Sequence, residues 1–391
     1  MRILLIAPHP FFQERGTPIA ERALLESLAE AGHELHVLTY HEGEDVRIRN
    51  CRIHRIPPIP GIHDVRPGLS LKKLVCDAVL AAELLRLVRR MDFDVVHAVE
   101  EAAFLALLLK KLYGHPYIYD MDSILTVQAT EQWKALRIIR PWMTRMEGLA
   151  LRNSLGVLAV CRLLEERALA LAPDNLIVRL EDMSMLPENA SPVEPLRQLV
   201  GPGPIVMYVG NLLQYQGIDL LLEGHRRALE AVPDLRLVLI GGHTARIDHY
   251  SRMAEALGIH THTHFLGPRP HELLKGYLSQ ADVLVSPRIS GVNTPMKIYS
   301  YLDSGTPLLA TRLPTHTQVL DDDIACLFDP TPEGFARALI GLFENGQRRT
   351  ELAERARARV EQEYSREAFD RKLHRFYDRV AEALGERRTR T

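Results

Sequence analysis

Lys297 closes the run Asn293-Thr294-Pro295-Met296-Lys297, a few residues past an apolar stretch, Asp282–Val285, that reads as a strand. Pro295 predicts the first position of a helix there. Backbone N–H groups at that start, together with Lys297 and Arg288, would hold an anion. The plainer reading is a solvated lysine on a surface helix. A second glycine-bearing loop, Gly210-Asn211-Leu212-Leu213-Gln214-Tyr215-Gln216-Gly217, also precedes a helix and offers amide donors without charge. A third, Arg15-Gly16-Thr17, follows the first strand and reads equally as an anion contact or a simple turn. None carries GxGxxG or the Walker Lys-Ser/Thr pair, which disfavours an ordinary dinucleotide site and a P-loop NTPase.

These loops need a scaffold, and the apolar pattern supplies one. The chain has 391 residues, 46% hydrophobic and 25% charged, which suits two or three folded domains. Ile3–Ala7 is a continuous apolar run of the kind buried on both faces of a parallel sheet. A helical pattern through Ala23, Leu24, Leu28 and Ala31 ends at Gly32, and Leu35–Thr39 is the next strand. Helices over Leu71–Met91 and Ala102–Leu112 alternate with strands at Val95-Val96, Tyr117–Tyr119 and Gly156–Val160. Breaker clusters at Leu186–Pro192 and Gly201–Pro204 mark a linker. A second series follows, with strands at Ile205–Val209, Leu235–Ile240, Asp282–Val285 and Leu308–Ala310 and a helix over Ile218–Ala231. Alternating strands and helices predict two parallel α/β sheets covered by helices, with function on the loops after the strands.

The motifs Ala31-Gly32-His33-Glu34-Leu35-His36-Val37-Leu38-Thr39, Asp94-Val95-Val96-His97-Ala98, Tyr208-Val209-Gly210, Leu239-Ile240-Gly241-Gly242, Phe265-Leu266-Gly267, Ala281–Pro287 and Gly305–Thr311 occur in an order that resembles the family 4 retaining glycosyltransferases of the GT-B fold. The resemblance runs over nearly the whole length. It implies two Rossmann-like domains facing across a cleft: an acceptor-binding domain at 1–182, a linker at 183–204, and a donor-binding domain at 205–364. A helix at 365–385 crosses back to the first domain, and 386–391 form a tail. It also implies a nucleotide-sugar substrate, UDP- or GDP-linked, with no metal cofactor, and front-face transfer with retention.

Four donor-site positions depart from the family pattern. Asn211 and Gln216 stand where an Arg and a Lys usually neutralise the donor diphosphate, and Val292 and Ser300 replace two glutamates eight residues apart. Asp122 stands where the family has an active-site His. The expected donor side is then Gly16, Thr17, Asn211, Gln216, Gly241, Arg288, Asn293, Thr294 and Ser300, with Lys297, Asp122 and His97 as catalytic candidates. Asp122 would orient or deprotonate the acceptor, or bind the transferred sugar, with a turn aspartate as the alternative. A satisfied core histidine is the favoured alternative for His97. Glu100 and Glu101 read as a helix-start pair, with acceptor contact as the lesser reading. The changed positions remain mostly polar, which favours a variant donor site. A catalytically silent GT-B binding subunit and a GT-B sugar-nucleotide epimerase are the rivals.

The remaining features bear on partners. Lys plus Arg is 48 and Asp plus Glu is 50, so the net charge of −2 gives no reason to expect nucleic acid. Cys51, Cys76, Cys161 and Cys326 never form CxxC, which fits a reducing, cytoplasmic setting. Leu71–Met91 carries Leu74, Val75, Ala78, Val79, Ala82 and Leu85 on one side with basic residues toward its ends, and reads as a helix packed on the sheet. Trp133–Arg152 mixes Lys134, Arg137, Arg140, Arg145 and Arg152 with Trp133, Ile138, Ile139, Trp142 and Met143. That mixture suits an anionic membrane surface as well as ordinary packing. The acceptor would be a saccharide, a lipid or lipid-linked molecule, or a small metabolite. His260, His262 and His264 alternate as if on one strand face, where three imidazoles could bind zinc, but an ordinary exposed strand is the favoured reading.

Overall fold

The computed structural model describes residues 1–13, 16–65, 68, 70–187 and 189–390, without the side chains of 128, 129, 131, 132, 134–136 and 387–390. Arg15 and Glu188 thus lie outside the described residues, as does the side chain of Lys134. The chain divides into two compact units, one of Met1–Glu181 plus everything from Phe369 onward, the other Asp182–Ala368.

The first unit holds β1 (Arg2–Ala7), β2 (Glu34–Thr39), β3 (Cys51–Arg55), β4 (Val95–Val99), β5 (Tyr117–Met121), β6 (Gly156–Ala159) and β7 (Ile177–Arg179) in the order β3-β2-β1-β4-β5-β6-β7. Every pairing is parallel. The second unit holds β8 (Ile205–Val209), β9 (Arg236–Ile240), β10 (Thr263–Gly267), β11 (Val283–Ser286), β12 (Leu308–Thr311) and β13 (Cys326–Phe328) in the order β10-β9-β8-β11-β12-β13, again all parallel. Strand direction explains the composition. Val206 and Tyr208 of β8 enter one core while Ile205 and Met207 enter the other, so a strand buried on both faces must be apolar throughout. In each sheet the strand order reverses once, between β1 and β4 and between β8 and β11. The loops leaving those carboxyl ends diverge and open a crevice.

The expected α/β architecture of two parallel sheets is present, and so is the returning helix. It spans Arg366–Arg390. His374 Nε2 lies 3.1 Å from the Ser27 hydroxyl, and Lys372 donates to Glu181 at 2.8 Å. His97 is fully buried, with Nε2 3.0 Å from Asp120 Oδ2 and Nδ1 2.7 Å from the Tyr377 hydroxyl. The carboxylate only accepts, so Nε2 carries the proton and Nδ1 accepts from Tyr377.

The pattern missed β3, β7 and β13, which are short edge strands. An edge strand is partly open to water and needs no continuous apolar run. Three further expectations are corrected. The helix Leu71–Val88 buries Cys76, Leu80, Leu84 and Val88, so Leu74, Val75, Ala78 and Ala82 face outward instead of onto the sheet. The stretch Trp133–Arg152 is not one helix: a 3₁₀ segment, Lys134–Ile139, gives way to an α-helix, Arg140–Asn153, with Pro141 in its first turn. His260 and His262 sit in a 3₁₀ turn before β10, so the three histidines do not share a strand face.

Candidate active site

The reversal between β8 and β11 brings two loops together, Gly210–Gln216 and Pro287–Met296. Glycine is required where the first of these loops meets the turn after β9. A Cβ on Gly241, at φ +107°, would lie 2.3 Å from the Gly210 carbonyl oxygen. One on Gly210, at φ +147°, would meet the Lys297 ammonium at 3.1 Å. That ammonium lies 3.9 Å from the centre of the Tyr208 ring and donates to Gln216 Oε1 at 3.1 Å. Tyr208 in turn donates to the Asn211 carbonyl at 2.6 Å. Arg288 packs its guanidinium over Tyr215 at 5.1 Å and donates to the carbonyls of Ser290 at 2.7 Å and Asn293 at 3.3 Å.

The electrostatics are one-sided. Burial pushes the Lys297 ammonium well below the usual lysine pKa, and Arg288 pushes it further. Burial also lowers Arg288, against the opposing pull of Tyr215 and Tyr208. Among the described residues neither cation has a carboxylate partner. Their neighbours are carbonyl oxygens and ring faces, which attract a cation without cancelling its charge. Thr294 adds a buried hydroxyl whose oxygen has no hydrogen-bond partner. Beneath the loops, His316 is fully buried between Ser286 (Nε2, 2.9 Å) and Thr311 (Nδ1, 2.9 Å). Burial pushes its pKa down to about 3, and the two cations reinforce that shift. It therefore contributes no charge at neutral pH. Lys297 and Arg288, two partly buried basic groups whose charged forms burial disfavours, form a place where an anion would favour those charged forms and gain charge-assisted bonds.

The sequence-derived candidates fall into two groups. Gln216, Gly241, Arg288, Asn293, Thr294 and Lys297 belong to these loops or adjoin them, and Asn211 is there too, with its side chain toward solvent. The Ser300 hydroxyl accepts from the Met185 N–H at 3.3 Å, which fastens the segment after the first unit. The local helix spans Lys297–Asp303 with Met296 at its N-cap, two residues later than Pro295 predicts. Pro295 begins a tight turn instead, its carbonyl accepting from Ile298 at 2.9 Å. The second group is in the first unit. Gly16 and Thr17 open the helix Gly16–Glu30, Asp122 follows β5 in a bend, and His97 is interior. Tyr208, Tyr215 and His316 were not anticipated. Only the Tyr-Val-Gly run at the end of β8 hinted at the first, because ring-on-cation packing leaves no spacing signature.

Residues 16–180 match the glycosyl transferase 4-like domain, and residues 197–359 match glycosyl transferases group 1. The chain belongs to the GT-B glycosyltransferases. Relatives of this glycosyltransferase include a phosphatidyl-myo-inositol mannosyltransferase of Mycolicibacterium smegmatis, 23% identical over 98% of this chain and 95% of the relative. A D-inositol 3-phosphate glycosyltransferase of Corynebacterium aurimucosum is 25% identical over 91% of each. In fold it is similar to sucrose-phosphate synthase from Thermosynechococcus elongatus, with a TM-score of 0.78, 20% identity and 98% and 99% of the two chains covered. The Anabaena protein HepE in complex with UDP gives a TM-score of 0.75 at 16% identity over 99% and 100%.

Proposed function

We propose that this glycosyltransferase binds a nucleotide-sugar, UDP- or GDP-linked, with the diphosphate against Lys297 and Arg288, and passes the hexose to an acceptor hydroxyl with retention. The observation that carries this reading is the pair of partly buried basic side chains, Lys297 and Arg288, with no carboxylate partner among the described residues. HepE, similar in fold, was solved with UDP-glucose, and the relatives named above are a mannosyltransferase and an inositol-phosphate glycosyltransferase. In the reaction the bond from the anomeric carbon to the leaving phosphate oxygen breaks as the bond to the acceptor oxygen forms. The acceptor proton passes to the leaving phosphate oxygen. Lys297 and Arg288 neutralise the charge that develops on the diphosphate, the task a metal ion performs elsewhere. Asp122 and the opening of the helix Gly16–Glu30 stand on the unit assigned to the acceptor. A thermal-shift series with UDP, UDP-glucose and a GDP-sugar tests the donor. A ligand at a hundredfold excess over its Kd stabilises by about 2.7 kcal/mol. Silence with every nucleotide would end this reading.

The acceptor side also carries a surface suited to an anionic membrane. Trp133 (56% exposed), Ile138 (87%) and Trp142 (62%) stand beside exposed Arg137 and Arg140. Among the described residues no helix is long and apolar enough to cross a bilayer. Apolar side chains flanked by arginines gain both insertion and attraction, about 1 kcal/mol per basic residue near an anionic surface. The protein is expected to float with anionic vesicles, weakly at high salt and not at all with neutral ones. Trp142→Ala with Arg140→Ala should reduce flotation several-fold. Equal recovery with neutral lipid would remove the patch from consideration.

A further inference from the structure

The first unit has its own reversal of strand order, between β1 and β4, and there the uncommitted groups are acidic. His9 follows β1. Its Nε2 lies 2.8 Å from Glu21 Oε1 and its Nδ1 3.2 Å from the Pro10 carbonyl. Both partners only accept, so the ring donates from both nitrogens and is an imidazolium. Burial alone would lower its pKa, but Glu21, by charge and hydrogen bond, raises it on balance, with Glu100 adding to the effect. Glu21 is 3% exposed, and its second oxygen has no hydrogen-bond partner.

Glu100 follows β4 at φ +48°, a left-handed conformation that a non-glycine residue adopts at a cost and that collects at working sites. Its N–H donates to the Asp120 carbonyl at 2.9 Å, which holds this turn in place. Burial, then Glu101, push its carboxyl up to about 7, while His9, Lys73 and the Ser123 hydroxyl favour the ionised form. Lys73 is already committed: it pairs with Glu101 and donates to the Pro8 carbonyl at 2.5 Å and the Tyr40 hydroxyl at 3.3 Å. Tyr40 in turn donates to Asp77. The Tyr119 hydroxyl is fully buried and without a partner, within the electrostatic reach of Glu100 and Glu101.

The two crevices are therefore opposite in kind. In the second unit's crevice, among the described residues, Lys297 and Arg288 lack carboxylate partners. In the first, among the described residues, His9 is committed to Glu21 and Lys73 to Glu101, while Glu100 has no ion pair and Glu21 keeps an unused oxygen. We propose that this β1/β4 crevice selects an acceptor presenting uncharged hydroxyl groups, a neutral polyol or sugar ring, and rejects one that presents a phosphate, with Glu100 accepting a hydrogen bond from an acceptor hydroxyl. Rejection by a like charge is as selective as attraction, and among the described residues no uncommitted cation of the crevice offsets it. The inference rests on the reading that the first unit holds the acceptor.

The test uses the full chain with the nucleotide-sugar that gives the largest thermal shift, and matched acceptors: myo-inositol against inositol 3-phosphate, and glucose against glucose 6-phosphate. Nucleotide release is the readout. The neutral member of at least one pair should be used at least tenfold more efficiently, with neither phosphate ester ahead of its partner. Glu100→Gln should raise the acceptor KM about tenfold, leaving kcat and the donor-induced thermal shift unchanged. A purely structural role would instead lower the melting temperature or the donor shift. Preference for a phosphate ester in either pair, no turnover of any neutral acceptor, or an unaltered KM in Glu100→Gln overturns the proposal. Failure of the donor reading is distinguishable, because the wild-type protein would then show no nucleotide shift at all.

Discussion

Lys297→Ala is expected to lower turnover at saturating donor by about 10²–10³-fold, the typical effect of removing one preorganised donor from a developing negative charge. The same substitution should raise the melting temperature of the unliganded protein. The ammonium sits among ring faces and carbonyl oxygens beside a second cation, with no carboxylate to repay its desolvation. Opposite signs for activity and stability separate a residue kept for ligand binding from one kept for folding. Rates from nucleotide release and melting curves from the same preparations decide it. An unchanged rate removes Lys297 from the mechanism, and a large fall in melting temperature would make it structural. Added UDP should narrow the stability difference, since bound diphosphate supplies the counter-charge that the empty site lacks.

Acidification should unfold the second unit well before the first. His225 and His316 are both fully buried in that unit, and burial pushes each pKa down to about 3. Their ordinary value is 6.5. Between pH 6.5 and 3 the unfolded chain therefore binds more protons than the native one, and stability falls as pH falls through that window. At about 1.4 kcal/mol per unit, each histidine accounts for up to about 5 kcal/mol at its lower end. Two such losses rival the whole stability of a typical domain. Glu100, in the first unit, has the opposite sign. Its carboxyl is raised from 4.5 to about 7, so native protein binds the extra proton and this residue's contribution is lost as pH rises between those values. Calorimetry at pH 7, 5 and 4, with hydrogen exchange to assign the transitions, should show the second unit's transition moving down further than that of the first, where burial also lowers the partly exposed His33, His54 and His115. Movement of both together would contradict this assignment. His316→Gln should flatten the acid dependence.

What the sequence made legible follows from what each residue must satisfy. Ile3–Ala7 and Ile205–Val209 are buried on both faces, and only an apolar run allows that, so the central strands could be read directly. Cys51–Arg55 at a sheet edge has no such obligation and was not read as a strand. The helix Leu71–Val88 misled because it has apolar residues on two sides. Periodicity finds a stripe but cannot say which stripe meets the core, and here Cys76, Leu80 and Leu84 do so. At the site, Lys297 and Arg288 were visible because loops after parallel strands are where ligands bind. Ser300 was read by analogy with a position that contacts ligand, and the bond its hydroxyl accepts from the Met185 backbone was not legible. Tyr208 and Tyr215 could not be recovered, because a ring under a cation is fixed by tertiary packing. Nor did the sequence reveal that Glu100 adopts a left-handed backbone, a choice made by the Asp120 carbonyl across the sheet.

The second unit is an insertion in the first, because the residues from Phe369 onward return to pack with Met1–Glu181. During synthesis the amino-terminal sheet emerges early but must wait for nearly two hundred later residues before His97 and Ser27 meet Tyr377 and His374. The inserted unit has no such dependence, since it is one continuous stretch of chain. A premature stop shortly after it would thus release a finished second unit attached to an incomplete first one, a product for quality control to remove.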